Sequence, residues 1–324
     1  MSSSDLLKIE SLSVSFGQGR GFGRPKRLQA VRGVDLSIRD GEVLALVGES
    51  GSGKTTLGRA LLRLIPADSG RILFDGTEIS AMNARSLRPL RQEMQMIFQD
   101  PFASLDPRMT VGQIVAEGLD VHRLGDRQSR INRVAELLAL VGLDPSHAWR
   151  YPHALSGGQR QRVGIARALA VNPRFIVADE PVSSLDVSVQ AQIITLLMEL
   201  KARLGLTLLF ITHNLGVVRM IADRVAVMYL GRIIELADTE TLFREPRHPY
   251  TRILLESVPR PDPRIRPPFP VQTGEPPNPS APPSGCGYRN RCGHARDICA
   301  ASIPALDSLS ASHRLACLRH DEIN

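Results

Sequence analysis

Short apolar segments of strand length alternate with helical patterns along most of this 324-residue chain. Segments 7–16 and 28–38 alternate roughly between apolar and polar residues, which predicts β-strands. Runs that are wholly or mostly apolar, typical of strands buried on both faces of a parallel sheet, follow at 43–47, 94–98, 175–178 and 206–212. The pattern therefore predicts an α/β fold built around a mixed sheet.

Two regions depart from this alternation. Asp75 and Gly76 stand between short apolar runs in segment 71–80, which predicts a hairpin and an antiparallel β flank beside the parallel core. After residue 98 the pattern becomes helical, and we predict an inserted helical subdomain at about 100–165. Within it Ile131, Val134, Leu138 and Val141 share one face of a predicted helix, and Gly142 is expected to cap the C-terminus of that helix.

The apolar run at 43–47 leads into residues 48–56, which match the pattern Gly-x-x-x-x-Gly-Lys-[Ser/Thr]. Glycines at these places let successive backbone N–H groups converge on phosphate oxygens, and the following helix adds the positive end of its dipole. Lys54 supplies a cation for the β- and γ-phosphates, and Thr55 offers a hydroxyl to Mg²⁺. We therefore predict a nucleotide-binding phosphate loop comprising Gly48, Glu49, Ser50, Gly51, Ser52, Gly53, Lys54, Thr55 and Thr56.

Three polar residues follow two of the other apolar runs. Asp179 and Glu180 come directly after 175–178, and His213 follows 206–212. A lone histidine at a strand end is more often structural, but ligands of α/β proteins bind at the carboxyl ends of parallel strands, where all three are expected. Phosphoryl transfer needs a metal ligand and a group that orients water, and these side chains supply both.

A second helix N-terminus is expected at Ser156-Gly157-Gly158-Gln159, which precedes a helical stretch at 160–170. Serine is a favoured N-cap residue, and a helix N-terminus attracts anions. Such a cap is common and is weak evidence by itself. A single triphosphate does not need two complete phosphate-binding sites, so one chain acting alone does not explain this segment.

The composition narrows the class of protein. The net charge is +7, with 36 arginines and four lysines scattered along the chain rather than gathered in a basic block with aromatic residues. We therefore expect no nucleic-acid partner. The apolar runs are too short to span a bilayer, and residues 1–5 lack the pattern of an export signal, so a location in the cytosol is expected.

Over residues of about 6–240 these motifs, in this order, resemble the ATP-binding cassette (ABC) ATPases. The resemblance implies a P-loop nucleotide-hydrolase core that uses ATP and Mg²⁺. It implies that Gln99 touches the metal and signals to a membrane partner, and that Asp179 is the metal carboxylate beside Thr55. Glu180 would be the general base and His213 the switch at the γ-phosphate. The catalytic residues implied by the resemblance are Glu180, His213, Lys54 and Gln99.

The same resemblance accounts for the second helix N-terminus. Ser156, Gly157, Gly158 and Gln159 belong to the signature sequence 155–159, which caps a nucleotide held by another subunit. Asp186 would belong to the loop that spans the dimer. Two cassettes are therefore expected to pair head to tail. Phe16 ends the first β segment, where an aromatic ring could stack on adenine; a core position for Phe16 is an equal alternative, and Phe22 is the second choice.

A narrower resemblance, carried by segments 100–111, 180–192 and 248–252, is to the ATP-binding subunits of bacterial oligopeptide and dipeptide importers, the second of their two ATPases in particular. It implies a second ABC ATPase, two transmembrane permeases and an extracytoplasmic solute-binding protein as partners, at the cytoplasmic face of the cell membrane. A homodimer is not excluded. Importers of nickel complexes or oligosaccharides, and a non-transport ABC ATPase, remain alternatives.

The C-terminal part differs in composition. We predict a nucleotide-binding domain at 1–258, an extended linker at 259–284, where 11 of the 25 residues from 259 to 283 are proline, and a small tail at 285–324. All the cysteines lie in that tail, at Cys286, Cys292, Cys299 and Cys317. Their spacing does not match the tight pairs of zinc modules, but four thiolates also suit an iron–sulfur cluster. Similar tails in peptide-importer ATPases imply a [4Fe–4S] cluster, with zinc or an empty site as alternatives.

Overall fold

The computed structural model describes residues 5–17, 27–257, 278 and 280–323. These residues form two compact units. The first comprises Arg39–Glu42 and Ala81–Ile211, and the second comprises Asp5–Ile38, Val43–Ser80 and the described residues after Ile211. The second unit therefore takes residues from both ends of the chain.

The strands, in chain order, are β1 (Asp5–Gly17), β2 (Arg27–Arg39), β3 (Val43–Val47), β4 (Ser69–Phe74), β5 (Thr77–Glu78), β6 (Met94–Ile97), β7 (Phe175–Asp179), β8 (Thr207–Ile211), β9 (Arg224–Tyr229), β10 (Arg232–Asp238), β11 (Asp307–Ser310) and β12 (His313–Leu315). The α-helices are α1 (Lys54–Leu61), α2 (Ala84–Glu93), α3 (Val111–His122), α4 (Arg127–Leu140), α5 (Gly157–Leu169), α6 (Val187–Leu204), α7 (Leu215–Ile221), α8 (Thr239–Arg244), α9 (Pro249–Glu256) and α10 (Ile298–Ala301). Short 3₁₀ turns lie at Pro145–Trp149, Pro152–Ala154 and Arg289–Arg291.

The first unit contains the parallel strands β6, β7 and β8, of which β7 and β8 are buried along their whole length. Helices α3, α4 and α5 pack against one another in the region where the helical pattern begins. Gly142 has a φ of 72° and ends α4 as predicted. Along the predicted helix face Val134, Leu138 and Val141 are buried, whereas the side chain of Ile131 is 49% exposed because it lies a turn beyond the packed part of the helix.

The second unit contains the β-rich flank expected from the N-terminal alternation. Strands β2, β1, β4 and β5 form one sheet, in that order, and the pairs β1–β4 and β4–β5 are antiparallel. Asp75 and Gly76 connect β4 to β5 with φ of 47° and 73°. Both residues thus adopt the positive φ that a two-residue hairpin requires, and the predicted hairpin is confirmed.

The second unit also carries a mixed sheet, in which the order β3-β9-β10-β12-β11 runs from the strand before the phosphate loop to the C-terminal tail. Strand β3 is parallel to β9, and the other neighbours are antiparallel. Glu235 on β10 is fully buried, and its carboxylate accepts hydrogen bonds from the backbone of Arg247 and His248. Its Oε1 lies 2.8 Å from Nε2 of His313 on β12. The tail therefore completes this sheet rather than standing apart from it.

Candidate active site

The phosphate loop follows β3 and depends on two close backbone approaches. Gly48 has a φ of 152° and Gly53 a φ of 104°. A Cβ atom on Gly48 would lie 2.2 Å from the carbonyl oxygen of Met228, and one on Gly53 would lie 2.2 Å from that of Ala30. These contacts leave no room for a side chain, so glycine is required at both positions.

Lys54 lies inside this loop. Its ammonium group donates hydrogen bonds to the carbonyl oxygens of Gly48, at 2.7 Å, and Glu49, at 2.8 Å, and the residue is 6% exposed. Helix α1 begins at Lys54, and its N-cap Gly53 offers no side chain to the first backbone N–H groups. A fixed cation and an uncapped helix N-terminus therefore meet in one loop, which suits a polyphosphate.

Glu49 in the loop is held by two residues that no motif predicts. Its backbone N–H donates to the hydroxyl of Tyr250 on α9, at 2.8 Å. Its carboxylate accepts two hydrogen bonds from the guanidinium of Arg291, from Nη1 at 2.9 Å and from Nη2 at 3.1 Å. Burial opposes the Arg291 cation, but the hydrogen bonds and charge of Glu49 raise its pKa above the ordinary value. The sequence gives little signal for Arg291, which is one of five arginines in the tail at 285–324 and lies 242 residues from Glu49.

His213 lies in the second unit with the phosphate loop. It is exposed, and it lines an open cavity of about 410 Å³ together with Val47, Gly48 and Glu49. The next residue, Asn214, caps α7 by accepting hydrogen bonds from two backbone N–H groups. This cap fixes the start of α7 immediately after His213. The structure thus places His213 beside the loop, at the strand edge where the sequence pattern predicts it.

Phe16 is the first of the two aromatic candidates for the adenine contact. Phe16 is the penultimate residue of β1 and is 41% exposed. It is therefore an exposed ring at a strand end rather than a core residue. Phe22 lies outside the described residues.

The carboxylates lie in the first unit. Asp179 ends β7 and is 1% exposed. Glu180 follows with a φ of 45°, and its backbone N–H donates to the carbonyl oxygen of Ile211 at the end of β8. Gln99 donates from its side-chain nitrogen to Oε2 of Glu180 at 3.0 Å. The structure therefore brings together the predicted base and the predicted loop glutamine, and it holds the base on a strained backbone turn.

The signature segment begins α5 in the same unit. The Ser156 hydroxyl accepts from the Gln159 N–H, and the Gln159 side-chain oxygen accepts from the Ser156 N–H, which makes a reciprocal capping box. A Cβ on Gly158 would lie 2.7 Å from Cγ1 of Val189, and one on Gly157 would lie 3.3 Å from Cδ2 of Leu185. Asp186, between those two neighbours in the chain, is the N-cap residue of α6. The glycines let α5 begin against this loop.

The four cysteines are partly buried in the second unit. Burial, together with the nearby thiols of Cys299, Cys317 and Cys292, raises the pKa of the Cys286 thiol to about 11. Burial likewise raises the pKa of Cys292 and of Cys317. Yet nowhere in the part of the chain that the structure describes are three or more His, Cys, Asp or Glu side chains placed to hold a metal ion. The thiols are neighbours, but their arrangement does not fit a bound metal or cluster.

A search of the described helices for membrane-spanning segments finds none of sufficient length and apolar character.

Comparisons with known sequences agree with this arrangement. The model of the ABC transporter family matches residues 31–183, and that of the C-terminal region of oligopeptide/dipeptide transporters matches 234–299. A putative peptide import ATP-binding protein of Brucella ovis is 50% identical over 319 residues, which cover 98% of this chain and 99% of that protein. A putative oligopeptide transport ATP-binding protein of Bacillus subtilis is 48% identical over 315 residues, which cover 96% of this chain and 94% of that protein.

Solved structures give the same result. A dimeric ATP-binding cassette in a post-hydrolysis state, with ADP and Pi bound, matches with a TM-score of 0.65 and 29% identity and covers 72% of this chain and 98% of that chain. A component of an ABC transporter complex from Clostridium perfringens matches with a TM-score of 0.64 and 32% identity and covers 74% of this chain and 91% of that chain.

Proposed function

This chain belongs to the ABC transporter ATPase family, and we propose that it hydrolyses ATP to power the import of peptides through membrane permeases. The predicted family and fold class are confirmed. The observation that carries ATP use is the phosphate loop, where the enclosed ammonium of Lys54 meets the uncapped start of α1. The peptide cargo is supported by the match of residues 234–299 to oligopeptide/dipeptide transporters.

The residues present fit Mg²⁺ and ATP. The fit rests on an ammonium held inside the phosphate loop and on a buried carboxylate, that of Asp179. Bound Mg²⁺ would offset the charge of the phosphate oxygens. We propose that Lys54 binds the phosphates, that Thr55, Asp179 and Gln99 are the metal contacts, and that Phe16 stacks on adenine.

The water that attacks the γ-phosphate needs a base. We propose that Glu180 orients it and takes its proton, and that His213 contacts the γ-phosphate. The side-chain nitrogen of Gln99 donates a hydrogen bond to Oε2 of Glu180 and so orients the carboxylate that is proposed to act as the base. Phosphoryl transfer depends mostly on positioning and charge, and these are what the proposed contacts would supply.

ATPases of this family act as dimers with membrane permeases, and one structural relative is itself dimeric. We propose that Ser156, Gly157, Gly158 and Gln159 cap the nucleotide of a second ABC ATPase, with Asp186 in the loop between the cassettes. The partner is proposed to be a different chain, so that the complex holds two ATPases and two permeases at the cytoplasmic face of the cell membrane. A solute-binding protein outside the membrane would deliver the cargo.

Activity per chain tests the dimer. The dilute chain is expected to hydrolyse ATP slowly, with a rate per chain that rises with concentration or on adding the partner ATPase and permeases. A dilute monomer with full activity would contradict the pairing.

Uptake into proteoliposomes tests the cargo. The two ATPases, the permeases and the solute-binding protein are reconstituted together. Labelled peptides are then expected to be taken up when ATP is supplied on the side of the membrane where the ATPases lie. The matched control carries Glu180→Gln, which should bind ATP without driving uptake. Accumulation of nickel complexes or oligosaccharides instead of peptides would change the cargo, and failure to co-purify with any permease would favour a non-transport ATPase.

Domain boundaries and the cysteine site remain predictions. We propose the nucleotide-binding domain at 1–258 and the tail at 285–324; the linker at 259–284 lies largely outside the described residues. The thiols do not fit a metal as arranged, and no step of the function uses one. Purification without oxygen, followed by assay of iron, acid-labile sulfide and zinc with Cys292→Ser as control, decides between a [4Fe–4S] cluster, zinc and no metal.

A further inference from the structure

The Glu49 carboxylate is held by a side chain from the C-terminal tail. Arg291 ends the short 3₁₀ turn Arg289–Arg291 and precedes Cys292. Both terminal nitrogens of its guanidinium meet both oxygens of Glu49, at 2.9 and 3.1 Å. The Arg291 side chain is only 3% exposed. Arg291 is buried and the Glu49 side chain is 33% exposed, so this two-pronged pair is stronger and more directional than an ion pair that is exposed on both sides.

The surroundings of Arg291 keep it in place. Its Nη1 also lies 3.4 Å from the hydroxyl of Tyr229, whose ring is 4.7 Å from that of Tyr250 and 5.3 Å from that of Tyr288, measured between centroids. Tyr250 in turn accepts the backbone N–H of Glu49. The tail residue Tyr288 and the core residues Tyr229 and Tyr250 therefore form one packed cluster beneath the loop.

The charge of Glu49 matters because of where it lies. A carboxylate on a phosphate-binding loop weakens the binding of a polyphosphate, because like charges at short range in a partly buried site repel strongly. Arg291 neutralises that carboxylate and fixes its direction. If Arg291 were removed, Glu49 would keep its charge and lose its partner.

We propose that Arg291 is a positioning residue of the nucleotide site, through which the folded C-terminal tail sets the affinity of the phosphate loop for ATP. The inference rests on the proposed function, because it assigns Arg291 a role in the binding of that nucleotide. Arg291 acts through Glu49 and does not itself touch the nucleotide.

The test is a set of substitutions in the full chain, with equilibrium binding of Mg-ATP and steady-state ATP hydrolysis as the readouts. Arg291→Met should weaken ATP binding about tenfold and raise KM to match, with kcat at saturating ATP unchanged. Glu49→Gln should bind ATP at least as well as the parent. The double variant Glu49→Gln with Arg291→Met should recover the affinity of Glu49→Gln to within about twofold, because no unpaired carboxylate remains.

The matched control is Arg289→Met, two residues earlier in the same turn. Arg289 donates to Ser284 within the tail and does not figure in the Glu49 contact, so its loss should leave ATP affinity at the parent value. If Arg291→Met does not fold, Arg291→Lys replaces it. That variant keeps the charge without the fork, and a rise of about threefold in KM that Glu49→Gln abolishes is then expected.

Three results would overturn the proposal. ATP affinity of Arg291→Met equal to that of the parent would remove the effect. If the double variant binds ATP as weakly as Arg291→Met, damage to the tail rather than the charge of Glu49 is responsible. The same conclusion follows if Arg289→Met loses as much ATP affinity as Arg291→Met. If the parent chain itself does not bind ATP, the proposed function fails and this inference with it, whereas the first three results leave the proposed function intact.

Discussion

The phosphate loop and the signature segment both place glycines at the start of a helix, but they treat the helix N-terminus in opposite ways. At α1 the N-cap is Gly53, which offers no side chain to the backbone N–H groups, and a lysine lies within the loop. At α5 Ser156 and Gln159 already satisfy each other's backbone N–H groups in a capping box. The first helix start is built to receive an anion by itself, whereas the second is already stabilised without one.

The glycines differ in the same sense. Gly48 and Gly53 adopt positive φ, and a Cβ atom at either position would clash with a backbone carbonyl oxygen. Gly158 does not have a positive φ, and a Cβ atom there would clash with the side chain of Val189 rather than with backbone. Strong phosphate binding should therefore belong to the phosphate loop, while the signature segment should act only once another cassette is present.

The largest effect is expected from Glu180→Gln, which leaves both helix starts intact. Turnover should fall on the order of 10³-fold because the base is lost, while ATP affinity stays near that of the parent and the closed dimer accumulates. Single-turnover hydrolysis and equilibrium ATP binding measure the two quantities. Hydrolysis near the parental rate would show that Glu180 is not the base.

Lys54→Ala should separate the two helix starts most clearly. Because the ammonium contacts bound phosphate in the ground state as well as the transition state, ATP affinity should fall about 100-fold. Equilibrium binding of Mg-ATP to the single chain measures this change, with Glu180→Gln as the comparison. Equal affinity in the two variants would contradict a distinct phosphate-binding role for Lys54.

Gly158→Ala tests the signature segment. The added methyl group would overlap Val189 Cγ1 and shift the start of α5, so ATP hydrolysis by the assembled pair should fall about tenfold. ATP affinity of the single chain should not change. Gly164→Ala is the matched control, since a Cβ there meets nothing within 4 Å. A loss of ATP affinity in the single chain would show that the segment binds nucleotide in its own subunit.

The smallest effect is expected from Ser156→Ala, which removes one half of the capping box. Loss of an N-cap hydroxyl costs about 1 kcal/mol of unfolding free energy, so thermal unfolding of the chain should begin at a slightly lower temperature. Differential scanning calorimetry of the parent and the variant measures it. An unchanged unfolding temperature would indicate that the cap is not needed for α5.

Most of the fold could be predicted because the local signals agree with one another. The run at 43–47, the Asp75-Gly76 hairpin and the cap at Gly142 each have a short-range cause, namely burial on both faces or a positive φ. Ile131 lies on the predicted helix face but is exposed, because helical spacing does not reveal where the packing of a helix ends. The order of β10, β12 and β11 could not be predicted, since no local pattern pairs strands so far apart in sequence.

The site divides in the same way. Asp179 and Glu180 follow a strand run and Lys54 stands in the phosphate-loop pattern, so the local sequence alone marks all three. Tyr250 and Arg291 have no such mark, because their role arises from contacts across 201 and 242 residues. The four cysteines show the reverse case. Their clustering in the sequence is obvious, but it does not determine how the side chains are oriented.

The pairing of β12 with β10 has a consequence for synthesis on the ribosome. The second unit needs residues near the N-terminus and residues 313–315, so its sheet cannot be completed until nearly the whole chain has emerged. Until then, β10 presents an open edge and the Glu235 carboxylate lacks the His313 contact. A chain truncated before residue 313 would lack β12 and leave that edge open permanently, and such a product is expected to aggregate or be degraded, although every nucleotide-binding motif is present in it.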